Sequence, residues 1–317
     1  MAKRRILNIT LVSSLLVLGT QTVSAQQDPN FTQYMYNTLS INPAYAGSRD
    51  VFSAVALHRS QWLGFDGAPT SQTFSAHSPI SDGKMGLGLN IVNDQIGITQ
   101  GTDINAVYSY ALEMSRYTKL SFGINAGVNL MNIDYTDLNI FDPTDLQFNN
   151  NIENKISPQF GLGALLHNDK YFVGLSVPSL LRNDRFSGNP ISDNPISDAT
   201  VTDRLYYYLT AGVVIDFTPS LKFKPSVLFR HVSDSPLLIE LSSNFLINDR
   251  FTLGAAYRLN SAFSGIVGFQ ASDSILLGIA YDKDISAFSS YNNGSLEFFG
   301  RFELFKKYKR MYTPRFF

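Results

Sequence analysis

The sequence predicts an all-β fold: a transmembrane antiparallel β-barrel of about fourteen strands, with an irregular N-terminal segment and both termini on the periplasmic side. Three observations carry that prediction. Long segments alternate apolar with small or polar side chains, and successive strand residues point to opposite faces. Tight polar turns alternate with longer connections along the chain. Charged residues are only 16% of the 317, against a usual quarter or so, while Phe (24) and Tyr (16) are abundant. Such a chain shows apolar surface to something other than water.

The first 25 residues read as a signal peptide. Lys3-Arg4-Arg5 is basic, Ile6 to Leu18 is a short apolar core, and Val23-Ser24-Ala25 is a cleavage site. Beyond it no apolar run reaches the roughly 20 residues of a spanning helix, so membrane residence requires a barrel. Without the three basic leader residues the formal charge falls from -1 to -4, which is no nucleic-acid footprint. The chain holds no cysteine, which excludes disulfides, thiolate metal sites and Cys nucleophiles.

Residues 26–50 are rich in Asn, Tyr, Pro and Gly and lack a period. They are expected to pack at the periplasmic mouth or inside the barrel as a plug, their Asn and Tyr side chains pairing with luminal Asn90, Asn105, Asn125 and Asn129. The barrel is expected over 51–305. Its strands are Val51–Trp62, Thr70–Pro79, Met85–Asn93, Asp103–Ser115, Lys119–Asn132, Ser157–His167, Tyr171–Pro178, Arg204–Phe217, Leu221–His231, Leu237–Ile247, Phe251–Leu259, Ala262–Ala271, Ser274–Asp282 and Gly294–Phe305.

The fifth segment is the clearest. Leu120, Phe122, Ile124, Ala126, Val128 and Leu130 should face lipid, and Ser121, Gly123, Asn125, Gly127 and Asn129 the lumen. A charge should therefore be costly at Ala126 and tolerated at Asn125. Tyr108, Tyr171, Phe217, Phe251, Tyr257, Phe269 and Tyr281 suit interfacial girdles.

Tight turns fall at 81–84, 115–118, 167–170, 218–220, 248–250 and 272–273. The longer connections are Gln95–Thr102, Asp134–Lys155, Leu180–Asp203 and Lys283–Asn293. That alternation is the outer-membrane pattern of periplasmic turns and external loops. A soluble propeller or sandwich also has many strands. It would rarely set Lys222, Lys224, Arg230, Glu240 and Arg258 alternately on one face of consecutive strands. In a barrel they line the lumen. The tail 306–317 is basic and aromatic-ended, a periplasmic handle for partners or the insertion machinery.

No reaction chemistry is legible. His58, His77, His167 and His231 have no ligand spacing. Ser60 and Ser78 lie near His58 and His77, but no G-x-S-x-G elbow accompanies them. Asp134, Asp137, Asp142, Asp145 and Glu153 lack the EF-hand spacing, and no glycine-rich phosphate cradle precedes a helix. The chain reads as a non-enzyme with no cofactor and no metal site.

At Asp28–Ser48 the sequence resembles the PorP/SprF family of type IX secretion system membrane proteins of Bacteroidetes. The matching residues are Asp28-Pro29, Phe31, Gln33-Tyr34, Asn37 and the run Ile41-Asn42-Pro43-Ala44-Tyr45-Ala46-Gly47. His58 to Trp62, Gly67 to Thr70 and the ending Pro314-Arg315-Phe316-Phe317 resemble it too. The resemblance spans the mature chain apart from the two longest loops.

It implies a barrel exported by the Sec route to a Gram-negative outer membrane and working in type IX secretion or gliding motility. Some members belong to the secretion machinery. Others export a large surface adhesin or anchor its C-terminal domain. The partners implied are such a surface protein, periplasmic secretion or gliding components, and the bilayer. Docking would fall to the two long loops through Asp137, Phe141, Asp142, Asp145, Phe148, Arg182, Arg185 and Phe186. The N-terminal motif comprises Gln33, Tyr34, Asn42, Pro43, Ala44 and Tyr45. A second reading is a FadL-like transporter of a small solute, with luminal Leu246, Ile266 and Leu276 as an apolar path, and a third is a structural porin.

Overall fold

A computed structural model describes residues 34–137, 151–181, 184–186, 201–202, 205–233 and 235–304. The expected signal peptide and C-terminal tail lie outside the described residues. The chain forms one closed antiparallel barrel of fourteen strands. They are β1 (Phe52–Ser60), β2 (Thr70–Ile80), β3 (Met85–Ile96), β4 (Thr99–Glu113), β5 (Lys119–Ile133), β6 (Ile152–His167) and β7 (Tyr171–Val177). Then come β8 (Tyr206–Val213, continued by Ile215–Thr218), β9 (Leu221–Val232), β10 (Leu238–Ile247), β11 (Phe251–Arg258), β12 (Ala262–Ser272), β13 (Ile275–Asp284) and β14 (Ser295–Leu304). Each strand pairs with its sequence neighbours, and β1 closes the circle on β14 from Phe52↔Leu304 to Ser60↔Leu296.

Side-chain alternation has the polarity the sequence predicts. Along β5, Phe122, Ile124 and Ala126 are exposed on the outer wall, while Ser121, Gly123 and Asn125 are buried inside. Outward Phe217, Phe223 and Phe245 stack across strands at 5.7 and 4.7 Å near one rim, and Phe251 meets Phe269 at 5.0 Å beside them. These rings form an interfacial girdle at the short-turn end.

Strand ends differ from the expected bounds for one physical reason. The apolar alternation stops where the outer wall leaves the apolar band, but backbone pairing continues. Gln95–Thr102 is therefore no ten-residue loop: β3 runs to Ile96, β4 starts at Thr99, and Gly97 (φ 55°) makes the tight turn. Outward Asn93 accepts hydrogen bonds from Gln100 (3.1 Å) and Thr102 (2.9 Å) across that hairpin. Likewise β6 begins at Ile152, inside the expected loop Asp134–Lys155. The inward row of β5 also turns apolar near its end, where Met131 and Ile133 are buried. The expected eighth strand is interrupted at Val214, whose side chain turns in and whose N–H donates to Lys170 O. The loop 178–205 carries its own small hairpin, Asp184–Phe186 with Val201–Thr202.

Candidate functional site: the filled lumen and the long-loop end

Residues 34–50 enter the lumen and fill it toward the short-turn end. Asn42 adopts extended backbone and its Oδ1 accepts from Ala44 N (2.9 Å), capping a short 3-10 turn that begins at Pro43. Its Nδ2 donates to Ala164 O on β6 (3.1 Å). Two of the plug's backbone carbonyls are met by the wall: Ser176 Oγ donates to Ile41 O and Ser109 Oγ to Ala46 O, both at 2.6 Å. Gly47 N donates to His77 Nδ1 (3.1 Å). A buried irregular segment needs such partners, because each orphaned backbone group carries a desolvation penalty.

Wall glycines make the seat. A Cβ at Gly123 would meet the backbone of Pro43 and Ala44, one at Gly86 the Ala46 carbonyl, and one at Gly163 the Asn42 side chain. Nearer the barrel's middle the seat is apolar and aromatic. Tyr34, Met35, Tyr36 and Ile41 pack with Leu57, Leu228, Ile266, Leu276 and Phe299. The Tyr36 ring stacks on Phe299 at 4.3 Å, and the Lys224 ammonium lies 5.6 Å from its centroid on the other wall. Lys224 is fully buried there.

The expected pairing of plug and luminal Asn is only partly realised. Asn37 Nδ2 donates to Thr73 (2.7 Å), and Ser75 Oγ sits between Asn37 Oδ1 (2.6 Å) and Asn90 Oδ1 (2.7 Å). Asn90 thus reaches the plug through Ser75. Asn105, Asn125 and Asn129 instead pair within the wall and its loop, with Gln159 (3.0 Å), Pro178 O (3.0 Å) and Asp103 (2.6 Å). Among the described residues, the plug does not extend that far toward the long-loop end. Asn125 is buried against Gly161 and Pro178, so the expectation that a charge is tolerated there fails for lack of space. The apolar path of Leu246, Ile266 and Leu276 is closed as well. Ile266 and Leu276 are covered by the plug's aromatic end, and Leu246 packs on Val214.

Two layers of charge bracket the plug. At the short-turn end Arg49 of the plug forms a buried ion pair with Glu303, which also lies 3.4 Å from Arg301. At the long-loop end Arg59 joins Asp282 (2.7 Å) and Glu297 (3.1 Å), and Arg258 joins Glu240 (2.8 Å). The luminal placement of Lys224, Glu240 and Arg258 is as their alternation predicts, whereas nothing local in the sequence pairs Arg49 with Glu303 or Arg59 with Asp282 and Glu297.

Asp134 accepts from Thr136 N (3.0 Å), Thr136 Oγ1 (2.5 Å) and Asn151 Nδ2 (2.8 Å), closing the base of the loop after β5. The Thr136 hydroxyl, first among these bonds, holds the Asp134 carboxyl below the usual carboxylate range. Of the loop residues expected to dock a partner, Asp137, Arg185 and Phe186 have described backbones in the short turn and the hairpin. Phe141, Asp142, Asp145, Phe148 and Arg182 lie outside the described residues, as does Gln33 of the N-terminal motif. Tyr34, Asn42, Pro43, Ala44 and Tyr45 are gathered in the plug.

A family model described as type IX secretion system membrane protein PorP/SprF matches residues 23–302. No curated protein matches the sequence. Among solved structures, the CymD monoaromatic hydrocarbon channel is 9% identical with a TM-score of 0.50, covering 90% of this chain and 95% of that one. A Pseudomonas aeruginosa FadL homologue is 13% identical with a TM-score of 0.47, covering 87% and 95%. The Acinetobacter baumannii outer membrane protein Omp33 is 9% identical with a TM-score of 0.45, covering 81% and 100%. At such identities the likeness is one of fold.

Proposed function

Because this chain belongs to the PorP/SprF family of type IX secretion system membrane proteins, we propose that it serves as the foothold on which an exported surface protein is released or held. Family and closed barrel make it an outer-membrane component of type IX secretion in a Gram-negative bacterium. In the proposal, the long-loop end faces outward and both termini are periplasmic. The loops 134–155 and 180–203 receive the C-terminal domain of a secreted protein, an adhesin of gliding motility being the case in view. The basic tail is a handle for periplasmic secretion or gliding components.

One observation carries this reading: the family's N-terminal block is folded into the lumen and held there by hydrogen bonds to β2, β4, β6 and β7. A barrel filled by its own chain suits a platform better than a conduit. A small-solute transporter would need the plug to leave its seat. Deleting residues 138–150 and 187–200 is expected to leave the barrel inserted and to remove type IX cargo from the cell surface. Unchanged surface cargo in that strain would sink the proposal.

A further inference from the structure

The outer wall is furrowed where β14, β1 and β2 meet, and the furrow encloses a cavity of about 680 Å³. One outward row of side chains crosses it. Leu277, Gly300, Ala56, Phe74 and Ile91 stand opposite one another on β13, β14, β1, β2 and β3. Gly300 and Ala56 are the small pair in the middle, with exposed Leu277 and Phe74 on either side. Exposed Phe298 lines the same trough two residues from Gly300. Packing within the chain does not call for this gap. A Cβ on Gly300 would meet only Leu277 Cδ2, at an ordinary 3.5 Å. Gly123, Gly86 and Gly163 make room for the plug, whereas Gly300 faces outward. A glycine inside a strand weakens it and often marks where a ligand or another backbone comes close.

The cavity is amphipathic. Its body is apolar, but its end toward the long loops is lined by His58, Gln72 and Asn93. These belong to the next outward row, in which His58 stands between Phe298 and Gln72, and Gln72 between His58 and Asn93. A mostly apolar cavity of this size with a few convergent polar groups is the usual form of a small-molecule site. Here the apolar body lies in the lipid-facing wall, so the matching ligand part is an acyl chain. The polar end selects the head. On β1–β4 this row continues to Thr102, and the row beyond it is Ser60, Thr70, Gln95 and Gln100. Neither contains Lys, Arg, Asp or Glu on those strands. A phosphate head is best held by Arg or Lys. Amides, hydroxyls and imidazole instead both donate and accept, as sugar hydroxyls do. The rim is also held in place: His58 Nε2 lies 3.1 Å from Ser60 Oγ, and Asn93 Oδ1 accepts from Gln100 and Thr102.

We propose that this furrow binds one glycolipid, with an acyl chain laid along Gly300 and Ala56 and its sugar on His58, Gln72 and Asn93. The site needs the barrel to lie in a membrane but does not need the cargo reading above, and either can fail without the other.

Native mass spectrometry of the full, delipidated barrel in detergent tests this. The barrel is titrated with a monoglucosyl diacylglycerol, and with phosphatidylglycerol and phosphatidylcholine of the same acyl chains. The glucosyl lipid is expected to saturate a single site and to bind at least tenfold more tightly than either phospholipid. Ala56→Leu with Gly300→Leu fills the furrow and should weaken the glucosyl lipid at least tenfold. Gly265→Leu, at an outward glycine whose Cβ would meet nothing within 4 Å, should not. Gln72→Leu should remove the preference for the sugar head and leave phospholipid binding as it was. Ala56→Leu alone, at an exposed position, carries the test if the double variant misfolds. Binding of either phospholipid as tightly as the glucosyl lipid, as ordinary boundary lipid would show, would overturn the proposal. So would undiminished glucosyl-lipid binding in the furrow variants.

Discussion

Gly123→Ala tests the plug most sharply. The added methyl would lie 2.5 Å from Ala44 Cα and closer still to Ala44 N and the Pro43 carbonyl carbon. Ordinary contact is 3.5–4.0 Å. Both sides are backbone: the β5 wall, paired on either side, and the turn that Asn42 caps. No flexible side chain can move aside, so the strain should sit near the upper end for overpacking, roughly 3 kcal/mol. The wall is bonded along its full length and the plug through scattered side chains, so the plug yields. A shift of that size moves the seated-to-unseated ratio about a hundredfold, at 1.4 kcal/mol per factor of ten. Gly265→Ala is the matched control, since a Cβ there meets nothing within 4 Å. In planar bilayers the Gly123 variant is expected to open far more often than wild type while keeping the heat-modifiable mobility of a folded barrel. A variant that stays closed and melts with the Gly265 control would refute the seating argument.

Two further outcomes follow from the wall itself. Ala126→Arg places a charge on the exposed outer face of β5 and should destabilise the barrel folded in liposomes by about 2–4 kcal/mol; a loss under half a kcal/mol in urea titration would invert the assigned faces. Arg59→Met removes the guanidinium from between buried Asp282 and Glu297 and should cost about 3–5 kcal/mol, with Asp282→Asn in the same chain restoring part of it. Equal stability of wild type and the single variant would mean that the triad is not paired in the folded barrel.

The resemblance in the N-terminal block led to the right family, but the sequence left open whether the block packs at the mouth or inside the barrel, and gave no sign of which wall residues seat it. Residues 34–50 have no period because they answer to fourteen strands rather than to one neighbour. Their partners, Ala164, Ser109, Ser176 and His77, are ordinary residues scattered through the chain. The edge-on contact of Trp62 with Phe288 was illegible for a similar reason. Trp62 and Phe288 are far apart in sequence, and only closure of β1 on β14 brings their loops together.

What the sequence determined alone was the wall. A strand in a barrel must offer lipid on one side and the lumen on the other, so burial is written residue by residue with a period of two. Lys119–Ile133 reads correctly over most of its length for that reason, and short polar turns mark the hairpins. What only the tertiary structure decided lies inside and at the rims. The lumen is filled by a segment whose seat is set by glycine gaps and by buried ion pairs across the barrel. Strands continue past the apolar band because backbone bonding does not need lipid. Inside the lumen, contacts form between residues brought near only by closure, and no local pattern can encode them.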